Sequence, residues 1–220
     1  MHPTTLCLAL AAALAIPAAE CSVVIDWVTI GDPGNAADPL TGYGSVSYAY
    51  NIGKYEVTNA QYAEFLNATD PTGANPNGIY NSNMGSAPLG GISFNSGASD
   101  GLKYSLRPNM ANKPVVFVTW YDAARFANWM NNGQGTGSTE TGAYTLNGNT
   151  GLIVRNVGAT VWLPTEDEWY KAAYYDPTSG AGGGDNYWLY ATQSNSVPTV
   201  ASANAFGDIS NPGRFQIVSE

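Results

Sequence analysis

The run Val161–Ala173, VWLPTEDEWYKAA, carries a strand signal, a stop and a helix start in one stretch. Val161, Trp162 and Leu163 are β-branched, aromatic and aliphatic, and Pro164 ends the strand they predict. Thr165 then stands at an N-cap position, with Glu168 three residues on. In such a capping box the threonine oxygen accepts from the Glu168 backbone N–H, and the carboxylate accepts from the Thr165 N–H. Glu166, Asp167 and Glu168 also place negative charge at the positive end of the helix dipole, which accounts for them without a catalytic role. Trp169, Ala172 and Ala173 fall at i, i+3 and i+4 and are expected to share the buried face.

The same start signal occurs twice more. Thr58 with Gln61 opens a helix whose stripe is Tyr62, Phe65 and Leu66 and whose end is expected near Asn67. Thr119 with Asp122 follows an extended Val115–Val118 and opens a helix with the stripe Ala123, Phe126, Ala127 and Met130, stopped at Asn131 to Gly133. Val23–Ile30 reads as a short strand. Gly31–Gly44 is a loop whose Asp32, Asn35 and Asp38 read as turn formers rather than metal ligands. Ser45–Ile52 alternates, with Val46, Tyr48, Tyr50 and Ile52 on one face, and a bulge at Gly53 is expected to carry Tyr55 and Val57 inward.

Pro71–Leu106 reads mostly as ordered loop, with a short strand at Gly90–Phe94. The apolar runs Tyr144–Leu146 and Leu152–Val154 flank Asn147-Gly148, which predicts a hairpin. Three helices among short, mostly antiparallel strands make the fold class α+β.

Composition limits the partners. The formal charge is −9, and only eight lysines and arginines are scattered through the chain, so nucleic acid is not an expected partner. Leu6–Ala19 is an apolar run ending in small residues and resembles a secretory signal peptide, with cleavage after Ala18, Ala19 or Cys21. The domain plan is then a signal over residues 1–21 and one domain over 22–220, exported to the periplasm, cell envelope or exterior, with no membrane span after signal removal. Glu20 before Cys21 disfavours lipid attachment there. His2 and Cys7 lie in or before the signal, so the exported chain has no histidine and at most one cysteine. That excludes a histidine-based triad, a histidine zinc site and an internal disulfide.

LPTEDEWYKAA resembles the LPTEAEWE-type segment of the sulfatase-modifying-factor family, the formylglycine-generating-enzyme-like domains. IGKYEVTNAQYAEFLN resembles that family's opening strand and first helix, and KPVVFVTWYDAARFANWMN its second helix. The resemblance runs in the family's order over about residues 25–206. It implies a loop-rich, C-type-lectin-like fold. It also implies copper-dependent oxidation of a substrate cysteine to formylglycine in the best-known members, with copper held by two active-site cysteines.

This sequence departs from that pattern. Neither Cys7 nor Cys21 occupies a catalytic position, and the GN-x-WEW, RGGSW and GFR-type motifs of the family's C-terminal part are absent. Soft copper(I) has no thiolate ligand set, so copper is not expected. Gly213–Glu220 does not lead into the expected segment, and a domain missing its C-terminal part is the expectation.

The resemblance also implies calcium, with the Asn204 side chain and the Ala205 carbonyl as ligands. Calcium takes about six to eight oxygens, so the plainer reading of Asn204 is an asparagine in a turn. Trp120, Trp129, Trp162 and Trp169 lie on element faces and are expected in the core. Tyr187, Trp188 and Tyr190 follow the Gly-rich loop Asp176–Gly184 and are the candidates for a surface platform. Two functions follow: a non-catalytic binding module for a glycan or an envelope protein, or the N-terminal part of a formylglycine-generating-type oxidase. Oligomeric state is not legible in the sequence.

Overall fold

The computed structural model describes residues 22–148, 151–178 and 184–209. The signal-like run, both cysteines, His2 and the segment Gly213–Glu220 lie outside the described residues, as does part of the Gly-rich loop.

Strand β1 (Trp27–Ile30) pairs antiparallel with β2 (Tyr50–Gly53), Trp27 opposite Gly53 and Ile30 opposite Tyr50. Helix α1 spans Asn59–Thr69 and a single turn, α2, Asn83–Ser86. A second antiparallel pair joins β3 (Ile92–Phe94) to β4 (Tyr104–Leu106). Helices α3 (Trp120–Asn131) and α4 (Glu166–Tyr174) complete the order. Mixed helices and small sheets make the fold α+β. All three predicted capping boxes are formed: Thr58 with Gln61, Thr119 with Asp122, and Thr165 with Glu168.

Helix α3 lies between two cores. Phe126 and Trp129 face one, packing against Tyr62, Phe65 and Leu66 of α1. Ala124 and Ala127 face the other, against Ala143, Tyr144 and Leu146. Asn128, with no exposed surface, ties the second core to the helix. Its amide donates to the Thr139 and Tyr144 carbonyls at 2.8 and 3.1 Å and its oxygen accepts from the Tyr144 N–H at 2.7 Å. A buried amide satisfied this fully specifies the packing instead of opposing it. In the expected stripe Ala123 and Met130 are only half-buried.

Several sequence expectations are corrected. No bulge interrupts the pairing at Gly53, and Tyr55 is 66 % exposed. The Ser45–Ile52 strand is cut to its end because Ser45 and Val46 bond to the loop before them: Ser45 Oγ donates to the Asn35 carbonyl, and the Val46 carbonyl accepts from Gly34 N–H. Val115–Val118 is not a strand, since Phe117 sits at φ +64°, in the left-handed region that breaks an extended run. Val161–Leu163 is not a strand: Val161 lies in a bend, and the Thr160 and Val161 N–H groups donate to the Asn131 side chain. Asn147 and Gly148 both have positive φ, as a type I′ turn requires, but among the described residues the two runs meet in one bridge, Tyr144 to Arg155, four residues out of the register a two-residue turn there would set. Leu152 and Val154 beyond it are exposed. Strand β4 lies within the stretch read as loop.

Helix α4 is rotated from its expected orientation. Trp169 is 51 % exposed and Ala172 and Ala173 are half-buried, while Glu168 and Lys171 are each 1 % exposed. Of the four tryptophans expected in the core, only Trp129 is fully buried; Trp120 is exposed and Trp162 half-buried.

Candidate functional site

The inward turn of α4 follows from two polar groups it must satisfy. The Glu168 carboxylate is surrounded by donors. One oxygen accepts from Tyr48 Oη at 2.5 Å and Arg155 Nη1 at 3.2 Å. The other accepts from Trp162 Nε1 at 3.1 Å and the Thr165 N–H at 2.8 Å. Tyr50 Oη donates to the Glu168 main-chain carbonyl. The Arg155 guanidinium lies 4.3 Å from the centre of the Trp162 ring, a cation–π contact that holds both.

Burial alone would raise the Glu168 pKa, but the bonds from Tyr48, Thr165, Trp162 and Arg155 outweigh it and hold the carboxyl below its ordinary value. Burial and the neighbouring carboxylate push the Tyr48 hydroxyl up. A carboxylate kept ionised with its lone pairs taken is a poor proton acceptor. Its chemistry here is to pin Tyr48, Arg155 and Trp162 in place.

One turn further, Lys171 Nζ donates to the Asp32 carbonyl at 2.7 Å, and burial holds its pKa below the ordinary value. The loop 31–44 lies over this face and is tied down by tyrosines. Tyr170 Oη donates to Asp38 at 2.6 Å, and Tyr175 Oη bonds the Asp32 carboxylate. Gly44 N–H donates to Asp167 at 2.9 Å. Asn35 donates to the Gly44 carbonyl and to Tyr187 Oη, both at 2.7 Å. The loop's Asn35 and Asp38 are thus packing groups, consistent with turn formers.

Above Glu168 opens a cleft of about 420 Å³. One wall is Ala49 to Gly53, along β2; the other is Thr160 to Trp162, with Pro164. Trp27, 47 % exposed and opposite Gly53 in the pairing, also lines it. Its size falls within the range of about 300–1,000 Å³ typical of small-ligand sites. A second cavity, about 340 Å³, lies at the start of α3 beside Asp122 and Arg125. Arg125 is already paired there, to Glu140 at 2.6 Å.

The expected site residues are placed as follows. Tyr187 is 2 % exposed, and its hydroxyl donates to the Ala36 carbonyl at 2.8 Å, so it anchors the loop from inside. Trp188 and Tyr190 are half-buried, and the Trp188 N–H bonds the Tyr174 carbonyl at 2.9 Å. The three therefore do not form one surface platform: the hairpin-like pairing of 174–176 with 186–188 folds Tyr187 and Trp188 against the end of α4, while Tyr190 bridges to Ser194. Asn204 is exposed; its side-chain oxygen accepts from the Phe206 and Asp208 N–H groups at 2.9 and 3.0 Å, and Lys113 pairs with Asp208. Ala205 lies in the turn so formed. Among the described residues no group of three or more acidic, histidine or cysteine side chains is placed to hold a metal.

Sequence reasoning missed Trp27, Tyr48 and Arg155. Tyr48 carried a signal, its inward parity with Tyr50; Arg155 and Trp27 carried none.

The capped helices, small antiparallel sheets and long ordered loops make an α+β protein of short elements. The chain matches the sequence profile described as sulfatase-modifying factor enzyme 1-like domain over residues 36–215, and it belongs to that family. No curated protein and no solved structure matches it.

Proposed function

We propose that this chain is an exported, non-catalytic binding module that uses the cleft between β2 and Thr160–Pro164 to hold a glycan or a segment of an envelope protein. The scaffold we infer is the C-type-lectin-like one the family implies. The observation that carries the reading is the cleft itself: a half-exposed indole, Trp27, over a floor whose one carboxylate, Glu168, is saturated by protein donors. Such a surface recognises by shape and stacking and offers no free base. The segment matched by the family profile contains no cysteine, so no thiolate within it can hold copper for formylglycine chemistry. Calcium is left out of the proposal: the Asn204 side-chain oxygen, one of the two ligands the resemblance implies, already accepts from the Phe206 and Asp208 N–H groups.

The test screens the whole chain and its Trp27→Ala variant against a glycan array and a linear-peptide library. A ligand whose binding falls about tenfold or more in the variant supports the cleft, this being the loss of one aromatic anchor. No ligand in either screen, or binding indifferent to Trp27, refutes it. In parallel, a cysteine-containing peptide incubated with the chain, copper(I) and oxygen is expected to keep its mass; formation of formylglycine would overturn the non-catalytic reading.

A further inference from the structure

Among the described residues, strand β2 has a neighbour on one side only. The direction of its main-chain groups follows from the pairing. Lys54 N–H donates to the Asp26 carbonyl at 2.8 Å, so that pair is hydrogen-bonded. In an antiparallel ladder bonded and non-bonded pairs alternate. Ile52 with Val28 and Tyr50 with Ile30 are then bonded, while Gly53 with Trp27 and Asn51 with Thr29 are not. The N–H and C=O groups of Asn51 and Gly53 therefore point away from β1. Among the described residues they have no backbone hydrogen-bond partner.

These groups face the cleft. A cavity over one face of a strand is lined by alternate residues, because successive side chains point to opposite faces. This one is lined by Ala49, Tyr50, Asn51, Ile52 and Gly53 in succession, so it runs along the edge. Asn51 is exposed, and the opposite wall, Thr160 to Trp162 with Pro164, has no regular secondary structure and is not a covering helix. An open edge beside a cleft is a template for strand addition.

We propose that the ligand of the cleft is an extended peptide segment of a partner protein, neutral or basic, that adds to β2 as a third strand through the main-chain groups of Asn51 and Gly53. This rests on the cleft being the module's recognition site. The chain's charge of −9 sets the sign of the partner, and the Trp27 indole beside Gly53 gives an apolar or small side chain a surface to lie on. Strand addition takes affinity from the main chain and specificity from alternate side chains.

The experiment pans a displayed library of random linear dodecapeptides on the whole chain, then measures amide hydrogen exchange of the chain with a selected peptide. The expected result is slowed exchange at Asn51 and Gly53, with Tyr50 and Ile52, already bonded to β1, unchanged. Asn51→Pro removes an N–H that β1 does not use, so it is expected to weaken the peptide about tenfold, the loss of one main-chain bond, while Asn51→Thr binds as the parent does. Should the proline variant not fold, the alternating protection in the parent chain decides. Absence of selected peptides, protection elsewhere, or equal binding by Asn51→Pro overturns the proposal. A glycan bound in a Trp27-dependent way with no peptide bound would overturn strand addition and leave the binding-module reading standing.

Discussion

Replacing Glu168 by glutamine keeps the side chain's shape and removes its charge, and the structure sets the cost. Both carboxylate oxygens face donors only. A glutamine NH₂ at one oxygen's place would meet the Thr165 and Trp162 N–H groups; at the other it would meet Arg155 and Tyr48. Only the Tyr48 hydroxyl can turn round and accept. The cheaper placement therefore points the NH₂ at Tyr48, loses the Arg155 bond and turns the ionic Tyr48 bond into a neutral one. A hydrogen bond to a charged group is worth about 1.5–3 kcal/mol and a neutral one about 1. The Arg155 side chain is 35 % exposed and recovers water, so its share is discounted to about 0–1 kcal/mol.

The Thr165 and Trp162 bonds turn from ionic to neutral as well, so three changes of at least about 0.5 kcal/mol each, with the Arg155 share, put the expected loss at about 2 kcal/mol or more, which lowers Tm by about 4 °C or more in a chain of this size. Glu166→Gln is the control, because it removes the same charge from an exposed position at the same helix start and should cost about 0.3–1 kcal/mol. Urea unfolding followed by tryptophan fluorescence measures both. Equal midpoints for the two variants would refute the argument that α4 is held by a buried carboxylate.

Other consequences are open to direct measurement. Because the folded state lowers the Glu168 pKa, its contribution is complete above the ordinary value of 4.5 and is lost as pH falls through the folded value; the gap in urea midpoint between the parent and Glu168→Gln should therefore narrow as pH falls below 4.5. Burial pushes the Tyr187 hydroxyl up to about 12, so its stabilisation is complete below pH 10 and lost as pH rises toward 12. Tyr187→Phe should flatten that alkaline loss, cost about 1–2 kcal/mol at pH 7 and speed amide exchange in the loop 31–44. Gly44 has φ +91°, and a Cβ there would lie 2.7 Å from Tyr187 Oη. Gly44→Ala should therefore cost about 2–3 kcal/mol, read by calorimetry, from strain and displaced packing together.

Features that depend on neighbours within one turn were legible in the sequence. The three capping boxes need only residues three apart, and each formed where the pattern placed it. The α1 stripe was legible for the same reason: Tyr62, Phe65 and Leu66 meet a core that accepts any apolar face. Helix α4 shows where such reasoning stops. Periodicity ranks Trp169 inward because an indole gains most from leaving water, and it ranks Glu168 and Lys171 outward because a buried charge without partners is costly. The partners exist, but they arrive from Tyr48, Arg155 and Asp32, remote in sequence, and once present they reverse the ranking. The same long-range contacts draw Tyr187 off the surface and onto Asn35. The cleft is a consequence of that reversal. With Glu168 turned in, Trp162 turns toward it, Arg155 closes over the indole, and the segment Thr160–Pro164 is held as the far wall opposite the unpaired edge of β2. On this account the acid that starts the last helix shapes the recognition site without touching a ligand, so Glu168→Gln should reduce ligand binding in the cleft while Glu166→Gln leaves it unchanged.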